Sequence, residues 1–294
     1  MNSTRVSRPA PLRLLDERDP WGGRAKAALF LLHPGPSLLV TVVVLAAAGL
    51  AQRSTPSAGS LLRIALIVLP AQLAAGAAND LADVEADRAA KPHKPLVRGA
   101  VPVRFAAAVV ILGSLTCLAS AAGLGWAGFG IAVLGLGAGL AYDAGLKRHV
   151  TSWLPWWAGF VAVPLGGYAG VHRLSAPLLW TVALAGLLSL SLVCANALPD
   201  LDGDRAAGVR SLPVRLGEAR SRTVMLLTLP AAAVLLVVLA RPLGQGVVGP
   251  AVAAGVLVAA AAIAARRTVP PFVVLAPATA VACVAWLAAL PVSP

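Results

Sequence analysis

Charged residues are scarce in this sequence: they make up 12% of the 294 residues, whereas hydrophobic residues make up 59%. A soluble globular protein needs about 25% charged residues to cover its surface, so this composition excludes a water-soluble domain. The mean hydropathy of +0.83 agrees with that exclusion. A lipid bilayer must therefore surround much of the chain. The frequent glycine and alanine suit membrane helices, whose backbones approach closely at small residues.

Cysteine is also rare. The three cysteines, Cys117, Cys194 and Cys283, lie far apart in apolar stretches, and none has a partner at a metal-binding spacing. We therefore expect buried structural thiols and neither a disulfide framework nor a zinc site. The N-terminal segment lacks the apolar core of a signal peptide. Residues 1–25 are predicted to form a flexible cytoplasmic tail, and residues 26–294 a single membrane domain.

Nine apolar stretches have the length, about 20 residues, that is needed to cross the hydrocarbon core of a bilayer. They predict an all-α membrane protein with nine transmembrane helices. Their approximate bounds are 28–51, 60–80, 102–122, 124–143, 151–171, 176–200, 221–240, 245–265 and 270–290. Proline and glycine inside these stretches are compatible with a helical bundle, because neighbouring helices can satisfy the freed backbone groups.

Acidic residues are absent from one side of this predicted bundle. All 12 Asp and Glu and 20 of the 24 Lys and Arg fall on the side of the N-terminus, and the other side has only Arg53, Arg63, Arg173 and Arg241. Positively charged loops stay in the cytoplasm, so we predict a cytoplasmic N-terminus. This orientation explains the net charge of +12. Nucleic-acid binding is not expected, since no basic patch lies on a soluble face.

Two acidic clusters lie on the predicted cytoplasmic side, each at the end of a helix. Residues 79–87 read NDLADVEAD and residues 196–204 read NALPDLDGD, and both contain the pattern N-x3-D-x3-D. Residues at positions i, i+4 and i+8 share one face of a helix. Two of the three asparagines in the chain occupy the first position of this pattern. The stripes predicted are Asn79, Asp83 and Asp87 in the first cluster, and Asn196, Asp200 and Asp204 in the second.

Carboxylate and carboxamide oxygens are hard ligands that favour Mg²⁺ over zinc. The alternative is a solvated acidic loop that only ends two helices. It is disfavoured because facing carboxylates at a membrane boundary repel unless a cation compensates them. Basic residues also follow each cluster, namely Arg88, Lys91, Lys94 and Arg98, and then Arg205, Arg210 and Arg215. Asp202 turns away from Asp200 on a helix, so we do not expect it to bind a metal.

A third polar segment ends the fourth predicted helix, with Tyr142 and Asp143 followed by Lys147 and Arg148. A tyrosine hydroxyl and two bases at this level can reach a phosphate oxygen, although anchoring at the membrane interface explains the same residue types. His33, near the start of the first helix, stays open between an interfacial position and one that faces a site within the bundle.

These motifs resemble those of the UbiA-type intramembrane prenyltransferases over residues 25–290. The family's first signature, NDxxDxxxD, is matched by residues 79–87, and its second, DxxxD, by residues 200–204. Residues 94–99, KPLVRG, are similar to the family's RPLxxG, with lysine in place of arginine. Tyr142 and Lys147 are similar to a tyrosine and a lysine at the end of its fourth helix, and residues 208–217 look like the run that follows its second signature.

The resemblance implies nine helices around a central cavity that opens to the bilayer, with cytoplasmic cap loops after the second and sixth helices. It also implies two Mg²⁺ ions that hold an isoprenyl diphosphate, with ligands from Asn79, Asp80, Asp83, Asp87, Asn196, Asp200 and Asp204. The bases expected to bind the diphosphate are Lys91, Lys94, Arg98, Lys147 and Arg148. The residues expected to act in catalysis are Asp83, Asp87, Asp200, Asp204, Asp143 and Tyr142. The proton acceptor stays open between Asp143, Asp80 and a phosphate oxygen.

The function predicted is Mg²⁺-dependent transfer of a prenyl group to an aromatic or quinone-precursor acceptor, on the cytoplasmic side of a bacterial cell membrane. Neither an obligate protein partner nor a soluble form is expected. A terpene cyclase of the same superfamily stays open as an alternative, because it shares the metal motifs. A membrane transporter is disfavoured, since its charged groups should lie near the bilayer midplane on broken helices. The motifs leave the acceptor and the length of the donor chain open.

Overall fold

The computed structural model describes residues 20–240, 242–244, 246–266 and 269–290, so the predicted tail lies outside the described residues as far as position 19. The regular secondary structure of the described chain is entirely helical, with no strand, which confirms the predicted all-α class. Its α-helices are α1 (Pro20–Leu31), α2 (Pro34–Gln52), α3 (Ala58–Ala82), α4 (Val84–Ala90), α5 (Val103–Ala121), α6 (Gly125–Asp143), α7 (Trp153–Gly170), α8 (Trp180–Ala197), α9 (Leu201–Ala206), α10 (Leu212–Ala240), α11 (Val248–Ala265) and α12 (Pro271–Ala289).

The structure divides the first predicted span, 28–51, into two helices. His33 has a φ of 46°, in the left-handed region, and Pro34 opens α2 at its first position. Proline lacks the backbone N–H that would continue a helix but is well suited to begin one. The membrane-length helix therefore starts at Pro34, and α1 stands apart as a separate segment. The start of α10 is interrupted in a similar way at Gly217, whose φ of 75° is non-helical.

Seven stretches of the described chain are long and apolar enough to cross a membrane. They are Pro34–Gln52, Ala58–Ala82, Val103–Asp143, Ala176–Ala206, Leu212–Ala240, Val248–Ala265 and Pro271–Ala289. The third of these contains both α5 and α6. The helix α7 is 18 residues long but is not among the seven; its tryptophans, prolines and glycines lower its hydropathy. The predicted multi-pass membrane protein is thus confirmed.

Two groups of helices form the interior. Residues of α8, α10, α11 and α12 make the larger buried cluster, with Met225, Leu257 and Leu275 among its fully buried side chains. A smaller cluster joins α3, α5 and α6 around Ala74 and Leu136. The helix α7 contacts α2, α6 and α8 and so links the two groups. Large apolar side chains point outward on many helices, as expected where lipid is the solvent.

Small residues set the distance between α2 and α7. A Cβ atom added to Gly167 would lie 2.6 Å from the Ala47 Cβ and 2.7 Å from the Val44 carbonyl oxygen. The two backbones therefore touch at this point, as membrane helices do where glycine permits close approach. One residue away, a Cβ added to Gly166 would meet its nearest atoms at 3.9 Å, an ordinary van der Waals distance.

We predict that Gly167→Ala destabilises the protein by about 1–3 kcal/mol, the usual cost of overpacking. The added methyl group must push α7 away from α2. Gly166→Ala is the matched control and should leave stability unchanged, because its methyl group has room. Thermal unfolding in detergent measures both effects. Equal midpoints for the two variants would contradict the close contact between α2 and α7.

Candidate active site

Two adjoining cavities, each of about 420 Å³, share a wall formed by residues of α2, α3 and α7. One of them has His33, Asn79, Tyr142 and Asp143 in its wall and is called the polar chamber for these residues, although most of its lining is apolar. The apolar chamber extends between α2, α7, α8, α10, α11 and α12, and its lining includes Leu184, Leu236, Leu257, Phe272 and Trp286. The residues that line both chambers are Pro36, Val40, Gln72, Trp156, Phe160 and Val163.

The first acidic cluster lies where α3 gives way to α4. The helix α3 ends at Ala82 and α4 begins at Val84, but the backbone N–H of Asp83 still donates to the Asn79 carbonyl and that of Asp87 to the Asp83 carbonyl. The helical repeat therefore continues through the junction. This local geometry turns the four oxygen-bearing side chains of the cluster toward α6 and toward the loop that follows α4.

Lys147 connects this cluster to the end of α6. Its Nζ lies 2.7 Å from Asp83 Oδ1, 3.1 Å from Asn79 Oδ1 and 3.5 Å from Asp143 Oδ1. Only 14% of its side chain is exposed, so its charge acts in a poorly solvated environment. The structure thus brings Asn79, Asp83, Asp143 and Lys147 together, although they lie at the ends of α3 and α6, which are far apart in sequence.

Lys94 neutralises the other half of the cluster from the loop after α4. Its Nζ lies 2.8 Å from Asp80 Oδ1 and 2.6 Å from Asp87 Oδ2, and both carboxylates are nearly inaccessible. Burial lowers the pKa of Lys94, but the hydrogen bonds and charges of the two carboxylates outweigh it, so the pKa is raised and the amine stays charged. The predicted stripe of Asn79, Asp83 and Asp87 is therefore divided between the two lysines. Lys147 contacts Asn79 and Asp83, whereas Lys94 contacts Asp87 together with Asp80, which lies outside the stripe.

The second acidic cluster is less buried. The helix α8 ends at Ala197, a 3₁₀ turn covers Leu198–Asp200, and α9 begins at Leu201, so the predicted continuous stripe is bent at Pro199. Asn196 and Asp200 are exposed, whereas Asp204 is half-buried. Asp204 interacts electrostatically with Asp83 of the first cluster and with Lys91 and Arg148. The two clusters therefore face one another across the same region.

The other predicted residues lie around these clusters. Lys91, Arg98 and Arg148 are exposed at the rim, in contrast to the half-buried Lys94 and Lys147. Tyr142 lines the polar chamber and packs edge-on against Trp156, with ring centroids 6.1 Å apart. His33 lies beside the site, since its Nε2 is 3.4 Å from Asp80 Oδ1. Asp202 is 98% exposed and pairs with Arg205, away from the other carboxylates.

The chemistry of the donor set fits Mg²⁺. The first cluster presents carboxylate and carboxamide oxygens, which are the ligands that hard cations take. Among the described residues, no group of three or more His, Cys, Asp or Glu side chains is close enough to hold a metal ion. The reason is visible in the ion pairs: Lys94 and Lys147 stand between the carboxylates and supply the compensating charge themselves.

Sequence reasoning missed the residues where the two chambers meet. Gln72 lies seven positions before Asn79, which is two helical turns along the same face of α3, so its place could have been inferred from the first signature. Trp156 and Phe160 are four residues apart on α7 and line both chambers. The local sequence could not indicate that these two residues face the chambers, because tryptophan near a predicted helix end is equally typical of the membrane interface.

The fold and the site define a class: helical membrane proteins with a charged layer set against an apolar interior. The sequence profile of the UbiA prenyltransferase family matches residues 38–272. This match covers more than half of the chain, and the chain belongs to the UbiA prenyltransferase family. The predicted family is thereby confirmed, and prenyl transfer is the class of reaction that the family name states.

Two relatives illustrate the range of similarity. The bacteriochlorophyll synthase 33 kDa chain of Cereibacter sphaeroides is 31% identical over 189 residues, which cover 58% of this chain and 61% of that protein. The match thus spans less than two thirds of that relative's length. The digeranylgeranylglyceryl phosphate synthase of Natronomonas pharaonis is 30% identical over 236 residues, which cover 75% of this chain and 78% of that protein.

Solved structures share the fold. A UbiA homolog from Archaeoglobus fulgidus bound to DMAPP and Mg²⁺ superposes with a TM-score of 0.71 at 20% identity, over 88% of this chain and 97% of that one. The apo structure of a UbiA homolog from Aeropyrum pernix K1 gives a TM-score of 0.69 at 26% identity, over 83% of this chain and 94% of that one. Both likenesses extend across nearly the whole bundle.

We predict that Lys94→Met destabilises the protein by about 3 kcal/mol in EDTA, the typical cost of leaving buried charges without a partner. Asp80 and Asp87 would then repel each other. Added MgCl₂ should restore part of the loss, because the cation replaces the missing charge. Thermal unfolding in detergent reports both effects.

Arg205→Met is the matched control for this substitution. It removes a base from an exposed ion pair, and such pairs contribute little to stability. Its unfolding midpoint should match that of the unsubstituted protein with and without MgCl₂. A Lys94→Met protein that unfolds at the same temperature as the control would show that Lys94 does not neutralise the cluster.

Proposed function

We propose that this protein is a Mg²⁺-dependent intramembrane prenyltransferase, which ionises an isoprenyl diphosphate and transfers the prenyl group to an aromatic or other lipophilic acceptor. The observation that carries the proposal is a charged layer beside two adjoining chambers, the polar one and the apolar one. This layer consists of the ion-paired residues Asp80, Asp83, Asp87, Lys94, Asp143 and Lys147. A charged head and an apolar tail are the two parts of an isoprenyl diphosphate. The layer suits the charged head, and the apolar chamber suits the apolar tail.

The net charge of the site supports a requirement for divalent cations. Six carboxylates, those of Asp80, Asp83, Asp87, Asp143, Asp200 and Asp204, lie in or beside the layer with only two half-buried lysines among them. A diphosphate adds further negative charge, which such a site cannot accept without cations. Two Mg²⁺ ions, held by the acidic residues of the site, would supply charge that offsets this excess. Solved homologues of this fold bind DMAPP or GPP together with Mg²⁺.

The residues that would hold the metal are Asn79, Asp80, Asp83, Asp87, Asn196, Asp200 and Asp204. When bound, Mg²⁺ supplies Lewis-acid stabilisation of the departing diphosphate. Lys94 and Lys147 are close enough to the layer to transfer their hydrogen bonds from carboxylates to phosphate oxygens. Lys91, Arg98 and Arg148, exposed at the rim, add positive charge that attracts the diphosphate from the cytoplasm.

The proposed reaction uses the charged layer for the leaving diphosphate and the apolar chamber for the prenyl chain. The C1–O bond of the donor breaks, its electron pair leaves with the diphosphate, and an allylic cation remains. The apolar lining excludes water, which protects the cation from hydrolysis. An electron-rich atom of the acceptor then forms the new bond to C1 and loses a proton. We propose Asp143 as the acceptor of that proton, which its burial at the wall of the polar chamber beside Tyr142 supports; Asp80 and a phosphate oxygen are the alternatives.

The proposed topology has nine membrane crossings, made by α2, α3, α5, α6, α7, α8, α10, α11 and α12. Each of these helices has 18 or more residues in the described chain. Both acidic clusters then lie on one side of the membrane, and the positively charged loops support the cytoplasm as that side; the membrane proposed is that of a bacterial cell. The segments after α3 and α8 cap the cavity on that side.

We predict that Asp83→Asn and Asp200→Asn each lower Mg²⁺-dependent diphosphate release by on the order of 100-fold or more, since loss of a ligand exceeds the 10- to 100-fold effect of its supporting residues. Both variants should fold and insert into the membrane. Asp202→Asn, at an exposed position outside the layer, is the control and should keep full activity. Full turnover by either of the first two variants would refute the assignment of the site.

Transfer and cyclisation are distinguished by incubating the purified protein with Mg²⁺ and prenyl diphosphates of several lengths, with and without aromatic acceptors. We expect rapid diphosphate release only when an acceptor is present, with a prenylated acceptor as the product. The name digeranylgeranylglyceryl phosphate synthase, borne by several relatives, describes a product that contains prenyl groups and favours transfer. A cyclic terpene formed from the donor alone would show the cyclase function instead.

A further inference from the structure

Aromatic side chains are few in this protein, yet four of them meet at the junction of the two chambers. The chain has seven Trp, five Phe and two Tyr in 294 residues. Trp156 contacts three of the other rings, with centroid distances of 6.1 Å to Tyr142, 6.0 Å to Phe160 and 6.1 Å to Phe272. Tyr142 lines the polar chamber and Phe272 the apolar one, so the four rings form a wall that runs from one chamber to the other.

The position of this wall coincides with the expected position of the reacting carbon. Under the proposed function, on which this inference rests, the diphosphate lies at the carboxylate–lysine layer and the prenyl tail lies in the apolar chamber. The C1 atom, which joins the two, must then lie between them. Trp156 and Phe160 are the aromatic residues among the six that line both chambers. Trp156 also touches Tyr142, the neighbour of Asp143 in the layer.

An allylic cation at this point needs a partner that stabilises positive charge without forming a bond to it. A carboxylate would capture the cation as an ester, and water would capture it as an alcohol. The face of an aromatic ring attracts a cation through its quadrupole, most strongly for tryptophan, and more strongly where water is excluded. The remaining residues of the junction are Pro36, Val40, Gln72 and Val163, none of which offers such a face.

We propose that Trp156 is a catalytic residue whose indole face stabilises the allylic cation formed when the diphosphate leaves. The neighbouring tryptophans have a different role. Trp157 donates a hydrogen bond from Nε1 to the Val182 carbonyl at 2.8 Å and stacks on Trp153, with ring centroids 5.8 Å apart. The hydrogen bond joins α7 to α8, the stack lies within α7, and the residues that line the two chambers include neither Trp153 nor Trp157. Trp153 therefore provides a matched control on the same helix.

The test measures ionisation directly and needs no knowledge of the acceptor. Geranyl and geranylgeranyl diphosphates labelled with ¹⁸O at the bridging oxygen are incubated with the protein and Mg²⁺. Breaking and re-forming the C1–O bond moves the label into a non-bridging position, and the rate of this exchange reports formation of the cation. Binding of the same diphosphates is measured separately. Trp156→Leu should slow the exchange roughly 30-fold, the size of a desolvated cation–π contact, with little change in binding.

Two further variants separate charge stabilisation from packing. Trp156→Phe keeps an aromatic face and should recover part of the lost rate. Fluorinated tryptophans incorporated at position 156 keep the shape of the indole but weaken its quadrupole, so the exchange rate should fall stepwise with each added fluorine. Trp153→Leu should leave the exchange rate unchanged.

The outcomes separate this inference from the proposed function. If the unsubstituted protein exchanges label but Trp156→Leu exchanges it equally fast, Trp156 has no catalytic role. The same conclusion follows if fluorination at position 156 leaves the rate constant, since packing alone would then explain any effect of leucine. If the unsubstituted protein neither exchanges label nor releases diphosphate with any donor, the proposed function is wrong and this inference is wrong with it.

Discussion

The concentration of negative charge at one end of an apolar bundle is the constraint on which the rest of the site depends. Four carboxylates contact two lysines, Lys94 and Lys147, that are themselves largely withdrawn from water. A buried charge is tolerated only when it is paired, so these lysines let the helix ends come together before any substrate binds. Ammonium groups also bind phosphate, so under the proposed function a shift of their contacts from carboxylate to phosphate would couple substrate binding to the local structure.

The ends of the long helices place these charges at the membrane boundary. Helices α3 and α8 cross the apolar region and then bend, at Asp83 and near Pro199, into the short helices α4 and α9. Charged side chains need water or polar neighbours, which are available at the interface and not in the hydrocarbon. Acidic side chains therefore accumulate where the helices end, and apolar side chains line the cavity deeper in the bundle.

The long helices could be predicted because a bilayer forces each crossing segment to satisfy its own backbone hydrogen bonds, so about 20 apolar residues suffice to identify one. The acidic signatures likewise identified Asp83 and Asp87. The partners of these carboxylates were not determined by local sequence, since Lys147 reaches Asn79 across 68 residues and this contact depends on how α6 packs against α3. The break between α1 and α2 was also missed, although Pro34 gave a local signal for it, because the apolar run continues through His33.

The presence of two chambers bears on the choice between transfer and cyclisation. A cyclase acts on one molecule, whose folded chain needs a single enclosed volume beside the charged layer. Here the apolar chamber can take a prenyl tail, and the polar chamber adds a second volume of similar size, with Tyr142 and Asp143 in its wall. Under the proposed function, a cation held between the chambers, against Trp156, would be open to attack from the polar side by another molecule. Two chambers therefore favour the proposed transfer, which joins two substrates at one carbon, and Asp143 in the wall of the polar chamber would then lie near the proton that the acceptor loses.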